Sequence, residues 1–487
     1  MRFSLIFSIV SLMTILCGLA MAIPGGFDIL NNDIEGACRL FISAAITVAV
    51  GTVTYIVTKQ EEVPLRPKEM FMTTTLTWTA FALFSALPFY LSYHNISFTD
   101  AFFESMSGLT TTGATVLTGL DQMNHGLLLW RSFIQWLGGV GIIIVAITVL
   151  PNLSIGGMQF FSTESSDRSD KSSPKTAQNL RAILIFFLFL SAACTLCLWL
   201  AGMSIFDAVN HAMTTIATGG FSTHDASLAY YKSPAIEWVI TFFMAVAGLP
   251  LIIGLYIYQK KWQAIKNSEQ IFTYLFVLAG SIILLTLYRW NNLNQDVNDI
   301  GDILRLTALS VISVVTTTGY CADNYNQWGN FVVVAFLFLY FTGACTGSTS
   351  GGVKMMRHTI LFKALSTRMK SVLQPHGVFI ARYGGHPISD RALIDVMAFM
   401  TLFLMVTAIA TLALSFLGLD LITSMSAALT AIANVGPGLG PLIGPDKTFA
   451  PLPGAAKWIL SVTMLLGRLE FIAIVMLLVP FSWKKNI

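Results

Sequence analysis

The chain has 487 residues, 55% of them hydrophobic and only 11% charged, with a mean hydropathy of +0.71. A soluble protein carries about 25% charged residues, so a soluble domain is excluded. Many apolar runs reach the roughly 20 residues that a spanning helix needs. The net charge of +3 says little by itself, and no nucleic-acid partner is expected.

Arg2, an apolar run from Phe3 to Leu19 and the triplet Ala20-Met21-Ala22 imitate a secretory signal with an A-x-A cleavage site. The run is long for a signal core and another spanning segment follows at once, so a retained helix is expected. Spanning candidates at about 3–23 and 39–58 lead into a polar connector, 59–68. From there a triplet repeats four times: a spanning helix, a half-helix too short to cross a bilayer, and a second spanning helix. The members lie at about 70–93, 98–109 and 127–150; 180–201, 204–216 and 235–258; 270–289, 302–315 and 330–362; and 392–417, 420–432 and 455–480. The chain thus reads as an all-α polytopic membrane protein with ten crossings and four half-helices. Its parts are an N-terminal extension, 1–69, and units at 70–150, 151–258, 259–362 and 363–487. Cys194 and Cys197 form a CxxC inside a spanning helix with no other ligand nearby, which reads as packed thiols and not as a metal or redox site.

Each half-helix ends in small residues: Gly108-Leu109-Thr110-Thr111-Thr112-Gly113-Ala114, Ile216-Ala217-Thr218-Gly219-Gly220, Val315-Thr316-Thr317-Thr318-Gly319-Tyr320 and Ala433-Asn434-Val435-Gly436-Pro437. Aligned on Gly113, Gly219, Gly319 and Gly436, the tails recur at spacings of 106, 100 and 117 residues. Non-helical backbone survives at membrane depth only where it is buried in protein or lines water. One such tail would be weak evidence, because small residues also serve ordinary helix packing. Four in matching context, all on one side, point to a common structure. Ser97, Ser204, Asp299 and Asp420 stand where N-caps are needed, with Asp100, Asp207 and Asp302 in first turns. The half-helices therefore enter from one face and aim their negative C-terminal ends inward. Thr and Gly backbone there can turn carbonyls toward an axis and replace the hydration shell of a monovalent cation.

Basic residues set the orientation. With both termini cytoplasmic, the inner side holds 20 of the 28 Lys and Arg, among them Lys59, Lys68, Lys354, Arg357 and Lys485, and the tails lie in the outer half of the membrane. The outer loops then hold more acid (Glu104, Asp121, Asp207, Glu237, Asp323 and Asp446 among them) than base (Arg39, Arg131, Lys232, Arg289, Arg305, Lys447 and Lys457). Two readings stand: a mouth that concentrates cations, or the plain consequence of keeping Lys and Arg inside.

The four degenerate filter sequences in helix–half-helix–helix units resemble the Trk/Ktr/HKT superfamily of potassium transport proteins over about residues 70–480. The two extra N-terminal helices point to its TrkH/TrkG branch. The resemblance implies fourfold pseudosymmetry around one pore within each subunit of a homodimer in the bacterial inner membrane. It also implies potassium bound at Thr111, Thr112 and Gly113, at Ala217, Thr218 and Gly219, at Thr317, Thr318 and Gly319, and at Asn434, Val435 and Gly436. The fourth tail departs most from the family's Thr-rich run.

The second spanning helix of unit three is broken by Thr342-Gly343-Ala344-Cys345-Thr346-Gly347-Ser348-Thr349-Ser350-Gly351-Gly352. By itself this is either a loop at the filter or a cytoplasmic turn. The resemblance implies an intramembrane gate, with Gly343, Thr346, Gly347, Ser348, Gly351 and Gly352. Arg468 is a charge inside a spanning segment and needs a partner. It is expected to touch the carbonyls or hydroxyls of this loop and to repel cations there, against the alternative of an ion pair with another helix.

The basic loops 151–180 and 354–391 suit anionic lipid. The resemblance implies instead a cytosolic ring of TrkA-type regulatory subunits that binds NAD or ATP. The chain itself carries no nucleotide motif and is expected to hold no cofactor. Its seven histidines show neither HExxH nor paired ligand spacing, so an enzyme is not expected. An organic-solute carrier would use inverted repeats, whereas each unit here has two crossings and faces the same way. Glu470 is the only mid-helix acid near the pore, which favours passive conduction over coupling to protons or sodium.

Overall fold

The computed structural model describes residues 2–59, 65–92, 96–148, 174–292 and 299–471. Most of the polar loop 151–180, with Arg168 and Lys171, lies outside these residues, as do Asp296 and the stretch from 472 to Lys484, Lys485 and the C-terminus. Among the described residues, seven helices are long and apolar enough to cross a membrane: Phe3–Leu30, Ile34–Thr58, Lys68–Ser92, His125–Val145, Gln178–Leu200, Glu269–Asn292 and Asp390–Phe416. Strand occurs among the described residues only as the two-residue pair Arg382–Tyr383 and His386–Pro387. Arg2 donates to Glu69 at 2.6 Å and ties the start of the chain to unit one.

Three expected crossings are interrupted, and all three are the second helices of their units. In unit two, helix Pro234–Ala247 stops at Gly248 and resumes only at Ile253–Tyr258, where a continuous 235–258 was expected. Pro250 is the cause: it lacks an amide hydrogen and its ring blocks the preceding turn. In unit three, Asn330–Leu339 and Met355–Leu373 flank the Gly/Thr/Ser loop. In unit four, Gly454–Arg468 ends in two left-handed residues, Glu470 (φ 56°) and Phe471 (φ 54°), so Glu470 is not mid-helix as expected. Only His125–Thr148 of unit one continues unbroken.

The short helices Phe98–Leu109, Ile205–Ile216, Ile300–Val315 and Leu421–Ala433 sit inside this frame as the core. They join two large apolar clusters, one centred on units two and three, the other on the N-terminal pair with units one and four. Cys194 is buried in the first of these clusters as a free thiol. The outward faces of the long helices keep large apolar side chains such as Phe189, Phe276 and Phe416, which suits contact with lipid.

Candidate ion pathway

Each half-helix starts on a side-chain cap: Ser97 Oγ accepts from the Asp100 amide at 3.1 Å, Ser204 Oγ from Asp207 at 3.0 Å, Asp299 from Gly301 at 2.9 Å and Asp420 from Thr423 at 3.1 Å. The capped ends fix the direction of the four dipoles. At the other end, one hydrogen bond repeats in every unit: the amides of Thr112, Gly219, Thr318 and Val435 each donate five residues back, to Ser107, Thr214, Ser313 and Thr430. Those four residues are therefore equivalent. The residue before each is left-handed (Thr111, Thr218, Thr317 and Asn434, φ 52–59°). The residue after each is a left-handed glycine: Gly113, Gly220, Gly319 and Gly436 (φ 70–109°).

This register corrects the sequence alignment in unit two. Gly220, not Gly219, matches the other three glycines, and Gly219 takes the place of Thr112, Thr318 and Val435. Two adjacent glycines left the choice undetermined from sequence. Left-handed Thr and Asn cost about 1–3 kcal/mol each and persist only where the surroundings impose them. Here left-handed residues stand two apart in all four loops.

The four loops close into a ring. A Cβ on Gly113 would lie 2.1 Å from the Gly219 carbonyl oxygen, one on Gly220 1.9 Å from that of Thr318, one on Gly319 2.1 Å from that of Val435, and one on Gly436 2.7 Å from that of Thr112. Each unit's glycine abuts the next unit's carbonyl, and the fourth returns to the first. Only glycine fits that approach.

The loop 340–354 lies directly against this ring. Thr349 Oγ1 donates to the Ile216 carbonyl at the end of the second half-helix (3.0 Å) and meets Thr218 Oγ1 at 3.3 Å. The Gly351 amide donates to Thr317 Oγ1 at 2.8 Å, and a Cβ on Gly351 would lie 2.3 Å from the Ala433 carbonyl. The loop also fills the break in unit two: Cys345 donates to the Gly248 carbonyl and Leu251 to that of Gly347, both at 3.0 Å. Thr346 donates from its amide to Gln270 Oε1 at 3.0 Å, and Ser348 Oγ to the Cys345 carbonyl at 2.6 Å. Gly343, Gly347 and Gly352 take left-handed angles that shape it.

Arg468 is 2% exposed, and its Nη1 donates to the Thr349 carbonyl at 2.9 Å. Its Nε and Nη2 have no hydrogen-bond partner among the described residues. Beside it Glu470 accepts from Lys354 Nζ at 3.0 Å and from Arg357 Nη2 at 2.6 Å, all three buried. Lys354 and Arg357, which the sequence placed among solvated inner-loop cations, thus belong to a buried cluster of three cations and one carboxylate.

Residues 37–485 match the family model for TrkH, described as a cation transport protein. The chain belongs to the TrkH family. It is 41% identical over 485 residues to the Trk system potassium uptake protein TrkI of Halomonas elongata, covering 99% of this chain and 98% of that protein. It is 35% identical to the Trk system potassium uptake protein TrkH of Salmonella typhimurium, with full coverage of both. The crystal structure of the potassium transporter TrkH from Vibrio parahaemolyticus superposes with a TM-score of 0.91 at 31% identity, over 99% of this chain and 100% of that one.

In this TrkH-family chain most of the charges that the sequence reading assigns to the outer loops are paired. Glu104 is fully buried: it accepts from Arg131 Nε at 2.9 Å and from the Val116 amide at 2.9 Å, while Arg131 Nη1 reaches the Ser222 carbonyl at 2.8 Å. This buried ion pair thus ties the segments that follow the filter loops of units one and two together. Glu237 pairs with Arg305 at 2.7 Å, Asp323 with Arg289 at 3.3 Å and Asp100 with Lys457 at 2.5 Å. The charged side chains and the histidine that line the vestibule, the cavity above the ring, are Arg131, His224, Asp225, Asp446 and Lys447. His224 bridges Asp121 at 2.5 Å and Asp207 at 3.7 Å and stacks on Tyr230 at 3.5 Å. Burial works against its charged form, but the nearby Asp207 carboxylate and the hydrogen bond to Asp121 outweigh this and raise its pKa. None of these ion pairs has a local sequence signal, since the partners lie 17 to 357 residues apart.

Proposed function

We propose that this chain takes up potassium across the bacterial inner membrane through a filter of backbone carbonyls. Thr111, Thr112 and Gly113; Ala217, Thr218, Gly219 and Gly220; Thr317, Thr318 and Gly319; and Asn434, Val435 and Gly436 line it. The observation that carries the reading is the cyclic closure of four equivalent loops, each at the negative end of a capped half-helix. The positive-inside bias puts both termini in the cytoplasm and the vestibule outside. Ions enter from the vestibule, lose water at the ring and leave past the loop 340–354.

That loop, with Gly343, Thr346, Gly347, Ser348, Gly351, Gly352 and Arg468, is the gate. Its donors occupy carbonyls and hydroxyls at the inner end of the half-helices, where a cation would otherwise sit, and the Arg468 guanidinium adds a repelling charge. It hangs between two broken helices, so it can move without unfolding the frame. Conduction is passive, because Glu470 is engaged by Lys354 and Arg357 and is no free proton carrier. The protein works as a homodimer with TrkA-type nucleotide-binding subunits (NAD or ATP) against its basic inner face. Flux into liposomes driven by a potassium gradient alone tests the reading. Uptake under that condition supports it, and a strict need for a proton or sodium gradient overturns passive conduction.

A further inference from the structure

We propose that Gln135, on helix His125–Thr148, is a positioning residue for ion selectivity, holding the unit-two filter loop from outside the ring; the proposal rests on the filter reading above. Gln135 is fully buried. Its Nε2 donates to the Gly219 carbonyl at 2.7 Å and its Oε1 accepts from the Phe221 amide at 3.1 Å, so one amide clamps the loop on both sides of Gly220.

The four loops are braced in two alternating ways. In units one and three a hydroxyl pair spans the turn, Thr110 with Thr112 at 2.7 Å and Thr316 with Thr318 at 2.8 Å. The equivalent positions are Ala217 and Gly219 in unit two, and Ala433 and Val435 in unit four, none of which has a hydroxyl. Unit four substitutes Asn434, whose Nδ2 donates to Thr112 Oγ1 and to the Met464 carbonyl, both at 3.0 Å. In unit two the equivalent Thr218 bonds only its own Ala217 carbonyl and Thr349 of the loop below, and Gln135 reaches in from unit one. The exchange is reciprocal, because a Cβ on Gly219 would lie 2.5 Å from the Gln135 amide carbon. Gly219 is glycine to admit the clamp.

Gly219 stands in the ring of four equivalent carbonyls, and its oxygen is shared between an amide donor and a passing ion. The donor fixes that oxygen and draws off part of its field. Discrimination among monovalent cations rests on the spacing, number and field of such oxygens. A released loop can close on a smaller ion.

The test is potassium and sodium flux, measured separately, for the full chain in liposomes. Gln135→Met keeps the side chain's shape and removes both hydrogen bonds. The potassium-to-sodium ratio should fall by roughly three- to tenfold, the change expected from one or two buried hydrogen bonds, with potassium flux kept within about threefold. Gln135→Asn, one methylene short, reports the same ratio if Gln135→Met does not assemble. Thr318→Ala, which removes the unit-three hydroxyl pair, is the control for the filter itself. If Thr318→Ala lowers the ratio and both Gln135 variants keep the wild-type ratio, the assignment of Gln135 is wrong and the filter stands. If the Gln135 variants lower both fluxes alike, its role is packing alone and the proposal fails. If no variant moves the ratio, the filter reading itself fails.

Discussion

Replacing Arg468 by Ala tests the gate at its narrowest support. The guanidinium donates to the Thr349 carbonyl at 2.9 Å, and Thr349 also holds the Ile216 carbonyl and Thr218 through its hydroxyl. A hydrogen bond from a charged donor contributes about 1.5–3 kcal/mol. If that bond exists only in the closed arrangement, its loss shifts the closed-to-open ratio by about 10- to 150-fold, at about 1.4 kcal/mol per decade. Rubidium uptake into liposomes holding the Arg468→Ala chain, without any regulatory subunit, should rise accordingly until the open fraction saturates. Arg468→Lys separates the two contributions, since it keeps the positive charge and loses the planar fork. If charge repulsion alone holds the gate, the lysine variant behaves as wild type. Unchanged uptake by folded Arg468→Ala would refute the gate role.

Three further outcomes are expected. Glu470→Ala leaves Lys354 and Arg357 buried without a counter-charge, and breaking such a pair costs about 3–5 kcal/mol; thermal unfolding in detergent should drop clearly, and an unchanged midpoint would contradict the cluster. Gly220→Ala should abolish flux, because the new methyl would lie 1.9 Å from the Thr318 carbonyl, whereas Gly280→Ala, with open space around it, should transport normally; normal transport by Gly220→Ala would refute the corrected register. The raised pKa of His224 means that its bridge to Asp121 and Asp207 stabilises the fold fully below the unfolded value of about 6.5 and is lost as pH rises through the higher folded value. Wild type should therefore lose melting temperature relative to His224→Gln as pH rises above about 6.5, and parallel curves would exclude the bridge.

The four half-helices were legible because their signals are local: a Ser or Asp cap, an acidic first turn in the first three, and a glycine-bearing tail of small residues. The helix break at 340–354 was legible for the same reason, four glycines in eleven residues being incompatible with a helix. The break in unit two carried a readable signal as well, Gly248-Leu249-Pro250 inside an apolar run, yet hydropathy alone passes smoothly over it. The register of Gly219 and Gly220 is not set by residue type; the 2.8 Å bond from Gly219 to Thr214 and the left-handed angles of Thr218 and Gly220 decide it. Glu104 and Arg131 looked like outer-loop charges because nothing near either names the other, and only the closed fold brings them to 2.9 Å. Gln135 was invisible in the same way, a polar residue on an apolar helix whose partners lie 84 and 86 residues on. Local chemistry reads from the chain, while pairings between units need the fold.

A filter of this kind requires a cation standing on the axis of the four loops. Anomalous scattering from crystals grown in rubidium would locate it directly. Density centred among the carbonyls of Thr112, Gly219, Thr318 and Val435, at similar distances from all four, is the expected result. Rubidium bound only elsewhere, with that axis vacant, would contradict it.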